Sequence, residues 1–165
     1  MSFRIAVQTD LSAMTEIYNQ AILRKRCTAD TETFTVEGRQ GFFDAHQNDM
    51  YPLYVYEIEG QVVGYVYLSG YRPGRKAMRY VAEVSYYIHN NHQGKGLGTQ
   101  FLRYGIERAK ELGYRDLVAI LLSFNEASIA LLKKFNFEEW GVLPDIADFD
   151  GELCSHLFYG LKLNP

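Results

Sequence analysis

Residues 80–98 read YVAEVSYYIHNNHQGKGLG, and this stretch decides the fold because an apolar segment runs directly into a glycine-rich loop. The first part is rich in β-branched and aromatic side chains, which predicts a strand over 80–89. Three glycines within residues 94–98 predict a tight loop. Apolar side chains at helical spacing follow, and Gly113 suits a helix end, so we predict a helix over 97–112.

The loop Gln93-Gly94-Lys95-Gly96-Leu97-Gly98 is suited to holding a phosphate group. Its glycines allow backbone N–H groups to form one concave surface, and the helix that follows adds free N–H groups and a positive partial charge. The Walker pattern needs Gly-Lys-Ser/Thr and the dinucleotide pattern needs Gly-x-Gly-x-x-Gly, so neither matches this loop. Taken alone, the glycines also fit a strand–helix connection that binds nothing.

The remaining segments predict the rest of one mixed domain. Apolar and alternating patterns indicate strands over 3–7, 53–58, 61–68, 117–122, 137–142 and 157–163. Helical spacing and capping residues indicate helices after Thr9-Asp10, over 36–47, and from the Asn125 cap to Phe135. This order predicts an α/β fold: a single three-layer domain spanning 1–165, with a mixed, mostly antiparallel central sheet and helices on both faces.

Composition and charge exclude several classes of protein. The net charge is −3 and no basic face is visible, which argues against nucleic-acid binding. No segment approaches the roughly 20 apolar residues that a membrane helix needs, and the N-terminus does not resemble a signal peptide. We therefore expect a cytoplasmic protein that binds neither nucleic acid nor membrane. A disulfide between Cys27 and Cys154 is conceivable, but we expect both thiols to be reduced. The four histidines lack metal-ligand spacing, so we predict no metal.

Three motifs together resemble those of the GNAT superfamily of N-acetyltransferases. The pattern Gln-x-x-Gly-x-Gly at 93–98 is similar to the superfamily's pyrophosphate loop. Asn125-Glu-Ala-Ser128 and the closing Phe135-Asn136-Phe137 are similar to its second signature, with Asn136 where Gly is usual. The resemblance covers essentially the whole chain and implies a GNAT-like domain with acetyl-CoA as co-substrate and no metal.

The resemblance also assigns residues to acetyl-CoA. The backbone of the strand at 86–88 would pair with the pantetheine arm, the glycine loop would surround the pyrophosphate, and Asn125 would bond the arm from the other side. A splay between the strands at 80–89 and 117–122 would admit the thioester. The residues that the resemblance assigns to the cofactor are Tyr86, Tyr87, Ile88, Gln93, Gly94, Lys95, Gly96, Leu97, Gly98, Thr99, Asn125 and Ser128.

A narrower resemblance points to the phosphinothricin and methionine-sulfoximine acetyltransferase branch. It rests on residues 82–89, on Trp140-Gly141-Val142-Leu143-Pro144 and on Asp150-Gly151. Glu83 matches the glutamate of that branch, which implies a general base acting through water. Residue type alone favours a different interpretation of Glu83, as a residue on a solvated strand face or in an ion pair with Arg79.

One position departs from the pattern of the relatives. The seventh residue after Asn125 is often His in this branch and Tyr elsewhere in the superfamily, where it protonates the leaving thiolate. Here it is Leu132, so no side-chain proton donor is expected at that point. The sulfur would then leave as a thiolate held by N–H groups, or take a proton from water or from another Tyr.

The acceptor is expected to be the primary amine of a small amino acid or analogue, of the phosphinothricin, methionine sulfoximine or methionine sulfone type. Arg72 and Arg79 are candidates for its carboxylate, and Phe34 is a candidate wall of its pocket. A solvated turn is the alternative for the two arginines. Acetylation of a protein N-terminus or lysine, or acyl-CoA binding without catalysis, are the alternative functions. Relatives of this kind commonly form homodimers, and we expect one here.

Overall fold

A computed structural model describes residues 2–163 and contains seven strands and four α-helices within that range. The strands are β1 (Ser2–Ile5), β2 (Leu53–Ile58), β3 (Gln61–Gly70), β4 (Val81–Ile88), β5 (Asp116–Leu122), β6 (Glu138–Phe149) and β7 (Glu152–Lys162). The helices are α1 (Leu11–Leu23), α2 (Gln40–Ala45), α3 (Leu97–Glu111) and α4 (Glu126–Lys134). No helix among these residues is long and apolar enough to cross a membrane.

All seven strands form one sheet in the order β1-β2-β3-β4-β5-β7-β6. Every neighbouring pair is antiparallel except β4 and β5, which run parallel and are joined by the crossover helix α3. This arrangement confirms the predicted mixed, mostly antiparallel sheet in a single α/β domain. The parallel pair exists because a helix of 15 residues carries the chain back across the sheet.

Helices cover both faces of the sheet, as predicted. One core lies between α1, α2 and β2–β3, where Leu11, Met14 and Tyr65 are almost fully buried. The other lies under α3 and α4. There Gly105 allows α3 to approach the sheet, since a Cβ at this position would lie 2.8 Å from Cγ2 of Val84. Because successive side chains of a strand point to opposite faces of the sheet, alternate residues of β3 and β4 face different helices.

Two predicted elements have different lengths in the structure. The closing strands extend well beyond 137–142 and 157–163, because Asp150 and Gly151 both adopt positive φ and form the turn of a long hairpin. Pro144 and Asp145, which has a φ of 50°, interrupt the alternating pattern in the outer half of β6 and concealed this part of the strand. The helix predicted over 36–47 is a 3₁₀ turn followed by the short α2, since Gly38 and Gly41 are poor helix formers.

The pairing between β4 and β5 is short, and this shapes the site. Only three residue pairs are formed, the last of them Glu83 with Val118. Beyond that pair β5 stays bonded to β7 as far as Leu122, whereas residues 84–88 of β4 have no strand partner on that side among the described strands. The two central strands therefore splay apart, as the resemblance implied.

Candidate active site

A cleft of about 620 Å³ opens where β4 and β5 diverge. Its walls are the free half of β4, the glycine loop, the facing part of β5 and the N-terminus of α4. The predicted cofactor residues that line it are Tyr86, Tyr87, Ile88, Gln93, Gly94, Gly96, Leu97, Gly98, Asn125 and Ser128. The structure thus brings most of the predicted set around one space.

Lys95 and Thr99 are the two predicted cofactor residues that do not line the cleft. The Lys95 ammonium group donates a hydrogen bond to the carbonyl oxygen of Asn91, at 2.8 Å, and so braces the loop on its outer side. Thr99 lies in the first turn of α3. Arg24, Arg26 and Cys27, which the sequence did not assign to the cofactor, do line the cleft.

The glycine loop has a backbone conformation that explains its composition. Gly94 and Gly96 have φ of 71° and 76°, in the left-handed region where a side chain is strained. The Gln93 side-chain amide donates to the Ile88 carbonyl oxygen at 3.1 Å and ties the loop to the end of β4. No side chain caps α3, so its first N–H groups remain free for a ligand. The loop therefore fits a pyrophosphate group.

The N-terminus of α4 forms the opposite wall of the cleft. The Asn125 side-chain oxygen accepts a hydrogen bond from the Ser128 backbone N–H at 3.3 Å, which confirms the predicted helix cap. Burial raises the pKa of Tyr86, and a hydrogen bond with the Ser128 side chain opposes that rise. Leu132 lines the cleft and is only 3% exposed, so an aliphatic group fills the position where the resemblance would place a proton donor.

Glu83 lies on β4 directly before Val84, the first residue of this strand that lines the cleft, and the side chain of Glu83 itself is not part of the cleft lining. Its side chain shares a strand face with Ser85 and Tyr87, both of which line the cleft. Burial raises the pKa of Glu83 to about 7, and no ion pair includes this carboxylate within residues 2–163. A carboxyl group with this pKa can accept a proton near neutral pH.

The two arginines predicted for the acceptor lie outside the cleft. Arg72 and Arg79 are exposed in the connection between β3 and β4. The Arg79 guanidinium donates to the Lys76 carbonyl oxygen at 2.9 Å and lies 4.3 Å from the centroid of the Tyr80 ring. Arg79 therefore does not form the ion pair with Glu83 that residue type alone allowed.

Phe34 is half-buried in the segment between α1 and α2. The Asn19 side chain holds its backbone by two hydrogen bonds, one donated to the Phe34 carbonyl oxygen and one accepted from the Phe34 N–H, each 2.9 Å long. The buried guanidinium of Arg39 lies 5.6 Å from the Phe34 ring and about 4 Å from the rings of Tyr18 and Phe42. Arg39 follows a polar, aperiodic segment, so no sequence pattern marked it as buried.

Comparison with known proteins identifies the class. The family described as "Acetyltransferase (GNAT) family" matches residues 13–137. YwnH of Bacillus subtilis (strain 168) is 40% identical over 165 residues, covering 99% of this chain and all of the relative. The L-methionine sulfoximine/L-methionine sulfone acetyltransferase of Salmonella typhimurium (strain LT2) is 34% identical over 164 residues, covering 99% of this chain and 95% of the relative.

A solved structure agrees with the sequence matches. The crystal structure of a GNAT superfamily phosphinothricin acetyltransferase from Sinorhizobium meliloti, in complex with acetyl-CoA, superposes with a TM-score of 0.91. It is 30% identical and the match covers 98% of this chain and 87% of that chain. The chain belongs to the GNAT family of acetyltransferases. It is an acetyl-CoA-dependent N-acetyltransferase, which confirms the predicted class of enzyme and its co-substrate.

Proposed function

We propose that this enzyme acetylates the primary amine of a small amino acid or analogue of the phosphinothricin, methionine sulfoximine or methionine sulfone type. Glu83 acts as general base through water, and the amine attacks directly within a ternary complex. The observation that carries the proposal is the half-buried carboxyl of Glu83, with a pKa of about 7, at the origin of the cleft. The activities named for the Salmonella and Sinorhizobium proteins support the acceptor class.

Acetyl-CoA supplies an activated acetyl thioester when it is bound. The glycine loop and the free N–H groups of α3 would hold its pyrophosphate, and the unpaired edge of β4 would hold its pantetheine arm. N–H groups on that edge, with Tyr86 the leading candidate, would polarise the thioester carbonyl. Hydrogen bonding to a fixed strand edge costs little reorganisation, which favours transfer.

Glu83 removes the proton that the amine must lose. An ammonium ion has no lone pair, so a base must accept a proton before or during attack. The Glu83 carboxylate shares its strand face with Ser85 and Tyr87, and those residues reach the cleft. Water beside them would connect the amine with the carboxylate. Leu132 offers no proton to the departing sulfur, so that proton comes from solvent or from a Tyr hydroxyl.

The acceptor would lie on the face of the sheet covered by α1 and α2. Asn19 holds the backbone of Phe34 by two hydrogen bonds, and the Phe34 ring would form part of the acceptor's wall. Arg72 and Arg79 have no carboxylate partner among the described residues, and we assign one of them to the acceptor's carboxylate. A carboxylate-binding arginine selects free amino acids over peptide termini.

The enzyme is proposed to be a homodimer that uses the β6–β7 hairpin. Large apolar side chains are exposed on this hairpin, at the edge of the sheet, and they include Trp140, Leu143, Ile146 and Leu153. An exposed apolar surface on an edge strand suits association with a second copy. Light scattering should give twice the monomer mass for the wild type and the monomer mass for Ile146→Lys.

An acceptor screen tests the proposed function. The panel contains L-methionine sulfoximine, L-methionine sulfone, phosphinothricin, the common amino acids and peptides with free N-termini, and it measures release of free CoA thiol. We expect the highest kcat/KM for the sulfone, sulfoximine or phosphinate compounds. A higher value for peptides would replace the acceptor proposed here with a protein substrate.

A further inference from the structure

His46 is held by hydrogen bonds at both of its ring nitrogens. It caps the C-terminus of α2 and is half-buried, with its ring edge-on to Tyr67 at 4.9 Å between centroids. Nδ1 lies 2.7 Å from the carbonyl oxygen of Phe42, and Nε2 lies 3.0 Å from the hydroxyl oxygen of Ser69. The imidazole therefore links the end of α2 to β3.

These two contacts determine which atoms carry the hydrogens. A carbonyl oxygen can only accept, so Nδ1 carries the hydrogen that it donates to Phe42. Burial lowers the pKa of His46, so the ring is neutral near pH 7 and Nε2 has a free lone pair. The hydroxyl of Ser69 must then donate to Nε2. Because a serine has one hydroxyl hydrogen, that hydrogen is committed to His46.

Ser69 is also the direct cross-strand partner of Glu83 in the β3–β4 pair. Side chains at directly opposite positions have Cβ atoms about 4.5–5.5 Å apart. With its hydrogen turned to His46, Ser69 offers Glu83 only lone pairs, and no side chain within residues 2–163 donates a hydrogen bond to that carboxylate. Burial is accordingly the cause of the raised pKa of Glu83.

We propose that His46 is a positioning residue for the general base: it holds the Ser69 hydroxyl hydrogen away from Glu83. The carboxylate is then spared a charge-assisted hydrogen bond that would weaken it as a base. The inference rests on the proposed role of Glu83.

Several other titratable or polar groups lie near Glu83 or His46, and none of them orients the Ser69 hydroxyl hydrogen. Tyr67 of β3 is close enough that the charge of Glu83 contributes to raising the pKa of Tyr67. The charge of Arg39, which precedes α2, lowers the pKa of His46 and helps to keep the ring neutral. β5 places the apolar Val118 opposite Glu83. Further groups on this face are Tyr65, Tyr87, Ser85 and Tyr18.

The test compares kcat against pH for His46→Asn and His46→Gln. A Gln side chain can reach Ser69 and accept its hydrogen, whereas an Asn side chain can satisfy Phe42 but is too short for Ser69. The acidic limb of the profile is the fall in kcat as Glu83 becomes protonated. We expect His46→Asn to move this limb to a pH about one unit lower, because the freed Ser69 hydroxyl donates to the Glu83 carboxylate and lowers its pKa. His46→Gln should keep the limb at the wild-type position. Ionisation of the bound amine is common to all variants and cancels in the comparison.

The double variant His46→Asn with Ser69→Ala separates positioning from simple damage to the fold. Without the hydroxyl, the acidic limb should return to the wild-type position. An unmoved limb in His46→Asn, or a shift that persists without Ser69, would overturn the inference. Retained turnover in Glu83→Gln would instead contradict the role of Glu83 as general base. Failure of the proposed function is therefore distinguishable from failure of the inference about His46. Acetyl-CoA affinity and thermal unfolding of each variant verify that the protein is folded.

Discussion

Glu83 of β4 and Val118 of β5 form the last pair before the two central strands of the sheet separate. The same pair marks the end of the parallel ladder and the origin of the cleft. The Glu83 carboxyl group lies where the pairing of β4 with β5 ends. It is largely buried, and the cleft begins at the next residue of β4. Burial at this location raises the pKa of Glu83, and Ser85 and Tyr87 on the same strand face line the cleft.

The pH dependence of kcat should show an acidic limb near the pKa of Glu83. Burial raises that pKa to about 7, so the carboxylate is available above this pH and becomes protonated below it. We expect kcat to fall about tenfold per pH unit below the limb. Initial rates between pH 5.5 and 9 at saturating substrates provide the measurement. A profile that stays flat down to pH 5.5 would contradict the assigned base.

Gly96→Ala should weaken acetyl-CoA binding. Its φ of 76° is strained for alanine by roughly 1–2 kcal/mol, so the loop would shift and the apparent affinity should fall about fivefold or more. Titration calorimetry with acetyl-CoA measures the effect. Gly41→Ala is the matched control, since Gly41 lies in α2 at a helical φ and has open space around it. Equal affinities of the two variants would argue against the loop as the pyrophosphate site.

The Cys27→Ala variant distinguishes two mechanisms: direct attack of the amine on acetyl-CoA, and a route through an acetylated enzyme intermediate. Cys27 lines the cleft and is a free thiol, so its sulfur is a candidate to carry a covalent acetyl group. Direct attack predicts that the variant keeps kcat within about twofold, because the thiol takes no part in the chemistry. Initial-rate plots against both substrates should intersect. Parallel lines together with loss of turnover in Cys27→Ala would establish a covalent route instead.

Arg72→Gln and Arg79→Gln examine the binding of the acceptor's carboxylate. We expect one of them to raise KM for the acceptor by about tenfold with little change in kcat, because a charge-assisted bond is lost. Arg75→Gln is the control, as it removes an exposed arginine from the same connection. If all three variants behave alike, the connection is a solvated turn and another group holds the carboxylate.

Local patterns predicted the backbone features of the glycine loop and the cap of α4. Gly94 and Gly96 adopt the backbone conformation that favours glycine, and Asn125 caps α4 as its side chain suggests. These features depend on neighbours in sequence, so they are visible without a structure. The splay of β4 from β5 followed from the resemblance and is present in the ladder.

The acceptor side depends on contacts between distant segments, and the sequence shows little of it. His46 contacts Ser69, 23 residues away, and neither belongs to a recognisable motif. Arg39 is buried against rings from α1 and α2, although charged residues are usually exposed. Tertiary packing decides the environment of these side chains, which is why residue type and spacing alone did not identify them.

The most direct test is acetyl transfer by Glu83→Gln at pH 8 with L-methionine sulfoximine as acceptor, followed by free-thiol release, with acetyl-CoA affinity measured in parallel. Glutamine preserves the shape of the side chain but cannot accept the proton. We expect a loss in kcat of about 10²–10⁴-fold with acetyl-CoA affinity unchanged. Turnover within a few-fold of the wild type would contradict the assignment of Glu83 as the general base.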